Sequence, residues 1–300
     1  MQYYVGCSGW SYTSWHGPFY PPTVDNSDWL KYYSNVFDYV EIDSSFYRIP
    51  TIFMVKNWYK RSPHNFRFTA KFPKIITHDK RLKDVDKECE RFFEAICPLA
   101  DKTLALLIQL PPSLHIFEGL ERLRDLVPGL DNRFRYAVEV MHTSWFQDLA
   151  YNFFANNDIC LVWSQLAEIQ TPPICTTDFL YLRFIGDRSI QEKDFGRIQI
   201  DRVLEMEKWA ANIKNVEEDE HIRLAIIAAN NHYAGFCHGV WALECRRWAW
   251  KLTLILSGLG IIVGIVSIVV GNVGVLFHTI INAVVIYYLY RPNVKDYFGR

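Results

Sequence analysis

Charged and polar side chains stand at the ends of short apolar runs between residues 1 and 230 of this chain. The members of this set are Glu41, Asp43, Lys71, Gln109, Glu139 and Arg183. Carboxylates in such places transfer protons, and neighbouring lysine or arginine side chains bind oxyanions. A hydrolase with two carboxylates keeps one protonated and one ionised, which makes Glu41 and Glu139 a candidate acid/base pair.

The same residue types permit other interpretations. An internal salt-bridge network would tie the strand ends together through Glu41, Asp43, Lys71 and Arg183. Lys71 would act as a Schiff-base nucleophile if apolar neighbours lowered its pKa. A metal site would draw on Asp43, Glu139, His142 and His232. No closely spaced ligand set supports that site, so we expect no metal and no other cofactor.

Aromatic and glycine residues near the strand ends add two further possibilities. Tryptophans at these positions stack on a sugar or a base, or else pack in the core. They are Trp10, Trp15, Trp145 and Trp163. The loop Gly186-Asp187-Arg188 would hold an anion together with Arg183 and the amides around Asn230.

The elements that must position these residues follow from the hydrophobic pattern. Short β-branched runs alternate with longer amphipathic stretches, as in a parallel sheet with helical crossovers. The predicted strands are 3–7, 39–43, 66–71, 104–109, 136–140, 159–163, 180–184 and 222–229, and predicted helices include 84–97, 116–127 and 201–214. This order predicts an α/β fold, a (β/α)8 TIM-like barrel, with an open doubly wound sheet as the alternative. No GxGxxG motif follows the first strand, which argues against a dinucleotide cofactor.

Side-chain alternation along the strands predicts where the polar set points. Residues two apart share a face, so Glu41 and Asp43 lie opposite Val40 and Ile42. The same spacing places Gln109 with Leu107, Glu139 with Ala137 and Arg183 with Tyr181. In a barrel the opposite apolar set faces the helices, which turns the polar set inward at the mouth, where barrel enzymes bind their substrates. We therefore expect a small polar ligand there.

The carboxyl-terminal part of the chain has the composition of a membrane segment. Residues 252–290 contain no Asp, Glu, Lys or Arg and are long enough for two spanning helices of about 20 residues each. Gly271-Asn272-Val273-Gly274 would form the turn between them. Basic residues flank the run on both sides, at Arg246, Arg247 and Lys251 and at Arg291, Lys295 and Arg300. The positive-inside rule then predicts a hairpin in the cell membrane with the barrel on the cytoplasmic side. A buried hairpin of a soluble protein is the alternative.

Charge and cysteine content restrict the class of protein. Lys+Arg number 32 and Asp+Glu 33, so the chain lacks the basic excess of a nucleic-acid binder. The 7 cysteines are odd in number and form no CxxC pair, and no signal peptide precedes Gly6-Cys7-Ser8-Gly9. These features predict a reducing, cytosolic environment for the barrel. The oligomeric state is left open.

Several segments in order resemble one known family. They are VGCSGWSYTSWHGPFYPP (5–22), YVEIDSSFYRIP (39–50), FRFTAKFPKIITH (66–78), LIQLPPS (107–113), YAVEVMHTSWF (136–146), YLRFIG (181–186) and NNHYAGF (230–236). Together they resemble the YecE-like family, also called domain of unknown function 72. The resemblance implies a TIM barrel without an established reaction. It also implies recurrent polar positions at Glu41, Asp43, Lys71, Gln109, Glu139, Arg183, Asn230 and Asn231.

Two departures from the family pattern concern the site and the end of the barrel. Met141 replaces the usual arginine of the family's VExRH motif, which removes one cation beside His142. After residue 236 the chain departs from the family's last helix, and its tail resembles the end of a small archaeal multi-span membrane protein. The junction thus resembles a gene fusion, with an artificial join as the alternative. We predict a barrel over 1–237 with an altered last helix, a junction with an amphipathic helix over 238–251, and a transmembrane hairpin with a short basic tail over 252–300.

Two functions fit these features. The first is an enzyme of the hydrolase or lyase type acting on a small polar, phosphorylated or sugar-like substrate. The second is a non-catalytic ligand-binding barrel anchored to the cytoplasmic face of the membrane through residues 252–290. The predicted catalytic residues are Glu41, Asp43, Lys71 and Glu139. The predicted substrate-binding residues are Gln109, His142, Trp163, Tyr181, Arg183, Asn230 and Asn231.

Overall fold

The computed structural model describes residues 1–17, 19–166, 169–185 and 203–229. Asn230, Asn231, the loop 186–188, the altered last helix and the predicted hairpin 252–290 lie outside these ranges. Within them, no helix is both long enough and apolar enough to cross a membrane.

In the described part of the chain, nine parallel strands form one sheet. They are β1 Gln2–Ser8, β2 Tyr39–Ile42, β3 Arg67–Lys71, β4 Thr103–Gln109, β5 Tyr136–Glu139, β6 Ile159–Leu161, β7 Trp163–Gln165, β8 Phe179–Phe184 and β9 Leu224–Ala229. Their order in the sheet is β6-β5-β4-β3-β2-β1-β9-β8-β7. Apart from β6 and β7, strands that follow one another in the chain are therefore neighbours in the sheet, and β9 pairs with β1.

The two ends of the sheet meet at Val162. This residue separates β6, which pairs with β5, from β7, which pairs with β8. Its backbone N–H donates to the carbonyl of Val138 at 2.9 Å. The sheet is thus a nearly closed barrel, and the predicted α/β barrel is confirmed in place of the open doubly wound sheet. The predicted strand 159–163 is two short strands, because the segment changes its pairing partner at this point.

Helices pack between successive strands on the outside of the sheet. They are α1 Trp29–Val36, α2 Ser44–Tyr47, α3 Ile52–Arg61, α4 Asp86–Ile96, α5 Ile116–Leu126, α6 Asp148–Asn156 and α7 Val203–Glu217. Local sequence accounts for the start of α3, where the Thr51 hydroxyl caps the helix by accepting from the Met54 N–H at 3.2 Å. Because each helix follows a strand, its amino terminus lies at the carboxyl end of the barrel, which we call the mouth.

The barrel interior is apolar below the mouth and polar at the mouth. One cluster of buried residues fills the apolar part and includes Tyr39, Leu107, Ala137, Val162 and Tyr181. Two residues further along each of these strands, on the same face, is a polar residue: Glu41, Gln109, Glu139, Ser164 and Arg183. The predicted inward orientation of the strand-end residues follows from this alternation.

Candidate functional site

Arg183 of β8 and Glu41 of β2 form a bidentate ion pair across the barrel interior. The Arg183 Nε donates to Glu41 Oε2 at 2.8 Å, and Nη2 donates to Oε1 at 2.7 Å. The Ser8 hydroxyl donates to Glu41 Oε1 at 2.6 Å, and the Tyr181 hydroxyl donates to Oε2. Both oxygens of Glu41 are therefore satisfied inside the protein.

Glu139 of β5 binds the remaining nitrogen of the same guanidinium group. The Arg183 Nη1 donates to Glu139 Oε2, which also accepts from Gln109 Nε2. The Ser164 hydroxyl donates to Glu139 Oε1 at 2.6 Å. Strand register explains the arrangement, because Ser164 is the β-sheet partner of Arg183 and Gln109 is that of Glu139.

A layer of hydroxyl groups supports these charges from below. Tyr39, Thr69 and Tyr181 form a triangle with hydroxyl oxygens 2.6, 2.8 and 3.0 Å apart. Because the Tyr181 hydroxyl also donates to Glu41, the triangle fixes the position of that carboxylate. These three residues hold the charged groups rigidly on the side that faces the apolar interior.

Burial and charge together determine the protonation of the two glutamates. Glu41 and Glu139 have no solvent exposure, and Arg183 has 1%. Burial alone raises the pKa of Glu41, but the charge and hydrogen bonds of Arg183 outweigh it and lower this pKa to about 2. Burial likewise raises the pKa of Glu139, and Arg183, Ser164, Lys71 and Gln109 lower it below its ordinary value. Both lowered pKa values favour the ionised form, so this environment does not favour the predicted acid/base pair, which needs one protonated and one ionised carboxyl group.

Asp43 and Lys71 form a second, more accessible ion pair at the mouth. The Lys71 Nζ lies 3.1 Å from Asp43 Oδ1, with side-chain exposures of 8% and 24%. The ammonium group also lies 4.2 Å from the centre of the Phe46 ring. The Ser45 hydroxyl donates to the Lys71 carbonyl at 2.7 Å and thereby ties α2 to β3. An amine held in an ion pair is a poor nucleophile, so this geometry does not favour the Schiff-base interpretation.

Trp163 and His142 make their contacts with residues outside this cluster. Trp163 has no exposed surface, its Nε1 donates to the Ile174 carbonyl at 2.9 Å, and its ring stacks on Trp209. It packs on the outer face of the strand because Val162 occupies the inner face, and this position favours core packing, the second of the two roles considered for this tryptophan. The His142 Nδ1 accepts from the Ser144 N–H at 3.1 Å, and its ring stacks on that of His115 at 3.8 Å.

No group of three or more metal-ligating side chains occurs in the described ranges. Four residues of the network were not among the predicted site residues: Ser8, Tyr39, Thr69 and Ser164. Ser8 and Ser164 each come one residue after the end of a predicted strand. Extending the alternation of inward and outward side chains by one residue in those strands would have placed both serines on the inward face. Thr69 stands on the predicted inward face, but its neutral hydroxyl gave no signal of an interior network.

Comparisons with known proteins agree with this fold. A family profile described as "Protein of unknown function DUF72" matches residues 4–239. The UPF0759 protein YecE of Escherichia coli K12 is 29% identical over 143 residues, which cover 48% of this chain and 50% of that protein. The UPF0759 protein YunF of Bacillus subtilis 168 is 31% identical over 115 residues, covering 36% and 40%. The chain therefore spans half or less of the length of these curated relatives.

Solved structures extend the similarity to most of the barrel. A DUF72 family protein from Thermotoga maritima has a TM-score of 0.66 and 28% identity, covering 80% of this chain and 96% of its own. Another from Enterococcus faecalis V583 shares the fold with a TM-score of 0.64 at 20% identity, covering 80% and 92%. The family match ends at residue 239, so the resemblance of the tail to an archaeal membrane protein is not shown. The barrel and the family profile together establish that this chain belongs to the DUF72 family.

Proposed function

We propose that this protein binds a small, sugar-like ligand at the barrel mouth and acts on it as a hydrolase or lyase, with Asp43 as general base. The observation that supports this role is the difference between the carboxylates. Asp43 has 24% side-chain exposure and one cationic partner, whereas Glu41 and Glu139 are fully covered and bonded internally. A base must reach the proton that it removes, and Asp43 meets this condition.

In this proposal Lys71 stabilises the negative charge that such a step creates. When Asp43 takes a proton from a ligand hydroxyl or from an attacking water, the oxygen left behind gains negative charge. The Lys71 ammonium, 3.1 Å from Asp43, is a donor for that oxygen. Glu41, Glu139 and Arg183 then form a buried ion-pair network that positions the ends of the strands.

The charge of the cluster favours a neutral ligand over a phosphorylated one. Among the residues that the structure describes in the cluster, the three carboxylates of Glu41, Asp43 and Glu139 stand beside the two cations of Lys71 and Arg183. The resulting negative excess repels a phosphate group in a buried setting. Hydroxyl groups of a sugar, in contrast, donate to carboxylates and accept from an ammonium.

The experiment compares two matched variants of the full chain in detergent. Monosaccharides and their phosphates are incubated with the parent, Asp43→Asn and Asp79→Asn, and turnover is followed by NMR while binding is measured by calorimetry. Asp79 forms a comparable ion pair with Lys74, but both side chains are 53% exposed, so this variant is a control for loss of a carboxylate. We expect Asp43→Asn to bind ligand without converting it and Asp79→Asn to behave like the parent.

Each alternative gives a different result. Equal turnover in the two variants would remove Asp43 from the mechanism. Binding by the parent with no conversion would favour the non-catalytic ligand-binding barrel.

We also propose that residues 252–290 anchor the protein in the cell membrane, with the barrel on the cytoplasmic side. The support for this anchor is the charge-free composition of the segment and the basic residues at both of its ends. Flotation with vesicles and protease protection of the full chain test it. Recovery of monodisperse full-length protein without detergent or lipid would contradict it.

A further inference from the structure

Thr171 lies in a short segment that turns back from the end of β7 and pairs with it. Gln165 and Gln170 form an antiparallel bridge. Beside this bridge, the Thr171 N–H donates to the Ser164 carbonyl at 3.1 Å, which places the two residues opposite each other. Residues opposite each other in an antiparallel pair have their side chains on the same face. Thr171 therefore shares the orientation of Ser164.

Two side-chain contacts identify this shared face as the barrel interior. The Ser164 hydroxyl donates to Glu139 Oε1 at 2.6 Å, inside the buried ion-pair network. Gln165, on the alternate face, accepts from the Trp209 Nε1 of α7 at 2.9 Å, and α7 packs on the outside of the sheet. The Thr171 side chain is thus directed into the interior, beside the charged groups.

The Thr171 hydroxyl is buried without a hydrogen-bond partner. Thr171 has no solvent exposure, and within the described part of the chain no atom bonds to its Oγ1. The hydroxyls of Ser8 and Ser164, in contrast, each donate to a glutamate. A buried hydroxyl that lacks a partner costs free energy, and a valine of the same shape would avoid this cost. The position therefore indicates a partner that the described barrel does not supply.

The neighbouring charges select the chemical class of that partner. The network beside Thr171 holds two carboxylates, of Glu41 and Glu139, against the single guanidinium group of Arg183. This negative excess disfavours an anionic group at the Thr171 hydroxyl. A ligand hydroxyl both donates and accepts, as the threonine hydroxyl does, and carries no charge.

We infer that Thr171 is a specificity-determining residue, whose hydroxyl bonds to a hydroxyl group of the ligand at the mouth. The inference rests on the proposed function, which supplies a neutral, sugar-like ligand. Asp43 directly follows β2, and three strands separate β2 from β7 along the sheet, so Asp43 and Thr171 belong to opposite sides of the barrel. A ligand that meets both needs hydroxyl groups at opposite ends, as a monosaccharide has.

The test measures sugar binding by the full chain in detergent. Calorimetry with D-glucose, D-galactose and D-mannose compares the parent with Thr171→Val, which removes the hydroxyl and keeps the shape, and with Thr171→Ser, which keeps the hydroxyl. Thr103→Val is the control, because Thr103 begins β4 at the end opposite the mouth and its hydroxyl bonds to the Leu99 carbonyl. We expect Thr171→Val to bind sugar about tenfold more weakly, and the other two variants to bind within about twofold of the parent.

Thermal melts without sugar distinguish a ligand partner from a structural one. We expect Thr171→Val to melt at or above the midpoint of the parent, because it loses no hydrogen bond within the protein. A lower midpoint would assign the hydroxyl to a buried structural water and overturn the inference. Equal sugar affinity of the parent and Thr171→Val would overturn it and leave the proposed function intact, whereas a parent that binds none of the three sugars would overturn both.

Discussion

Arg183 and Glu41 face each other across the barrel interior with two parallel hydrogen bonds of 2.8 and 2.7 Å, although 142 residues separate them in the sequence. Their strands, β8 and β2, are not neighbours, because β9 and β1 lie between them. The pair therefore braces opposite sides of the mouth. Glu139, on a third strand, binds the same guanidinium group and extends the brace.

Removal of Arg183 should destabilise the fold strongly. Arg183→Ala leaves two buried carboxylates without their cation, and breaking a buried pair in this way costs about 3–5 kcal/mol. Chemical denaturation of the full chain in detergent measures the loss. Arg81→Ala is the control, because its ion pair with Glu118 is partly exposed and contributes about 0–1 kcal/mol. Equal losses of unfolding free energy in the two variants would show that the buried ion pair contributes no more to stability than the partly exposed one.

Stability should fall in acid because of Glu41. Its pKa is about 2 in the folded protein and near 4.5 ordinarily, so the unfolded chain binds the proton more readily. This contribution is complete above about pH 4.5, decreases as the pH falls toward 2, and amounts to about 3 kcal/mol. Glu41→Gln should be less stable at neutral pH and should lose less stability between pH 5 and pH 2, as measured by denaturation at a series of pH values. A parallel acid dependence in parent and variant would contradict this assignment.

Gly119→Ala should destabilise the protein although alanine normally favours a helix. A Cβ atom at position 119 would lie 2.2 Å from the Trp145 ring, which is buried and held by a 2.9 Å hydrogen bond from Nε1 to the Leu114 carbonyl. Overpacking of this kind costs about 1–3 kcal/mol. Gly129→Ala, where no atom lies within 4 Å, should be neutral or stabilising, and thermal melts compare the two.

Asp43→Asn should leave the fold nearly intact. The Lys71 side chain of this ion pair is buried, but an asparagine at position 43 still offers an oxygen to the ammonium group, whose charge also interacts with Glu41 and Glu139, so the expected loss is about 1 kcal/mol. An unfolding free energy close to that of the parent is the expected result. A loss as large as that of Arg183→Ala would mean that Asp43 is part of the structural brace and not of an accessible site.

The sequence by itself predicted the barrel and the inward orientation of its polar strand ends. Alternation along a strand is local geometry, so Glu41, Gln109, Glu139 and Arg183 were readable from spacing alone. The charge-free composition of residues 252–290 is likewise a property of the sequence, and the membrane anchor remains a prediction.

Only the tertiary structure decided which of these residues contact one another. Spacing could not show that Arg183 binds Glu41 and Glu139 together, or that Lys71 takes Asp43 as its partner. It also did not show that β6 and β7 divide at Val162 and leave Trp163 on the outer face. The physical reason is that ion pairs form between atoms brought together by closure of the sheet, across strands that are far apart along the chain. Protonation follows from those contacts, because the cation beside a buried carboxyl group determines whether its pKa rises or falls.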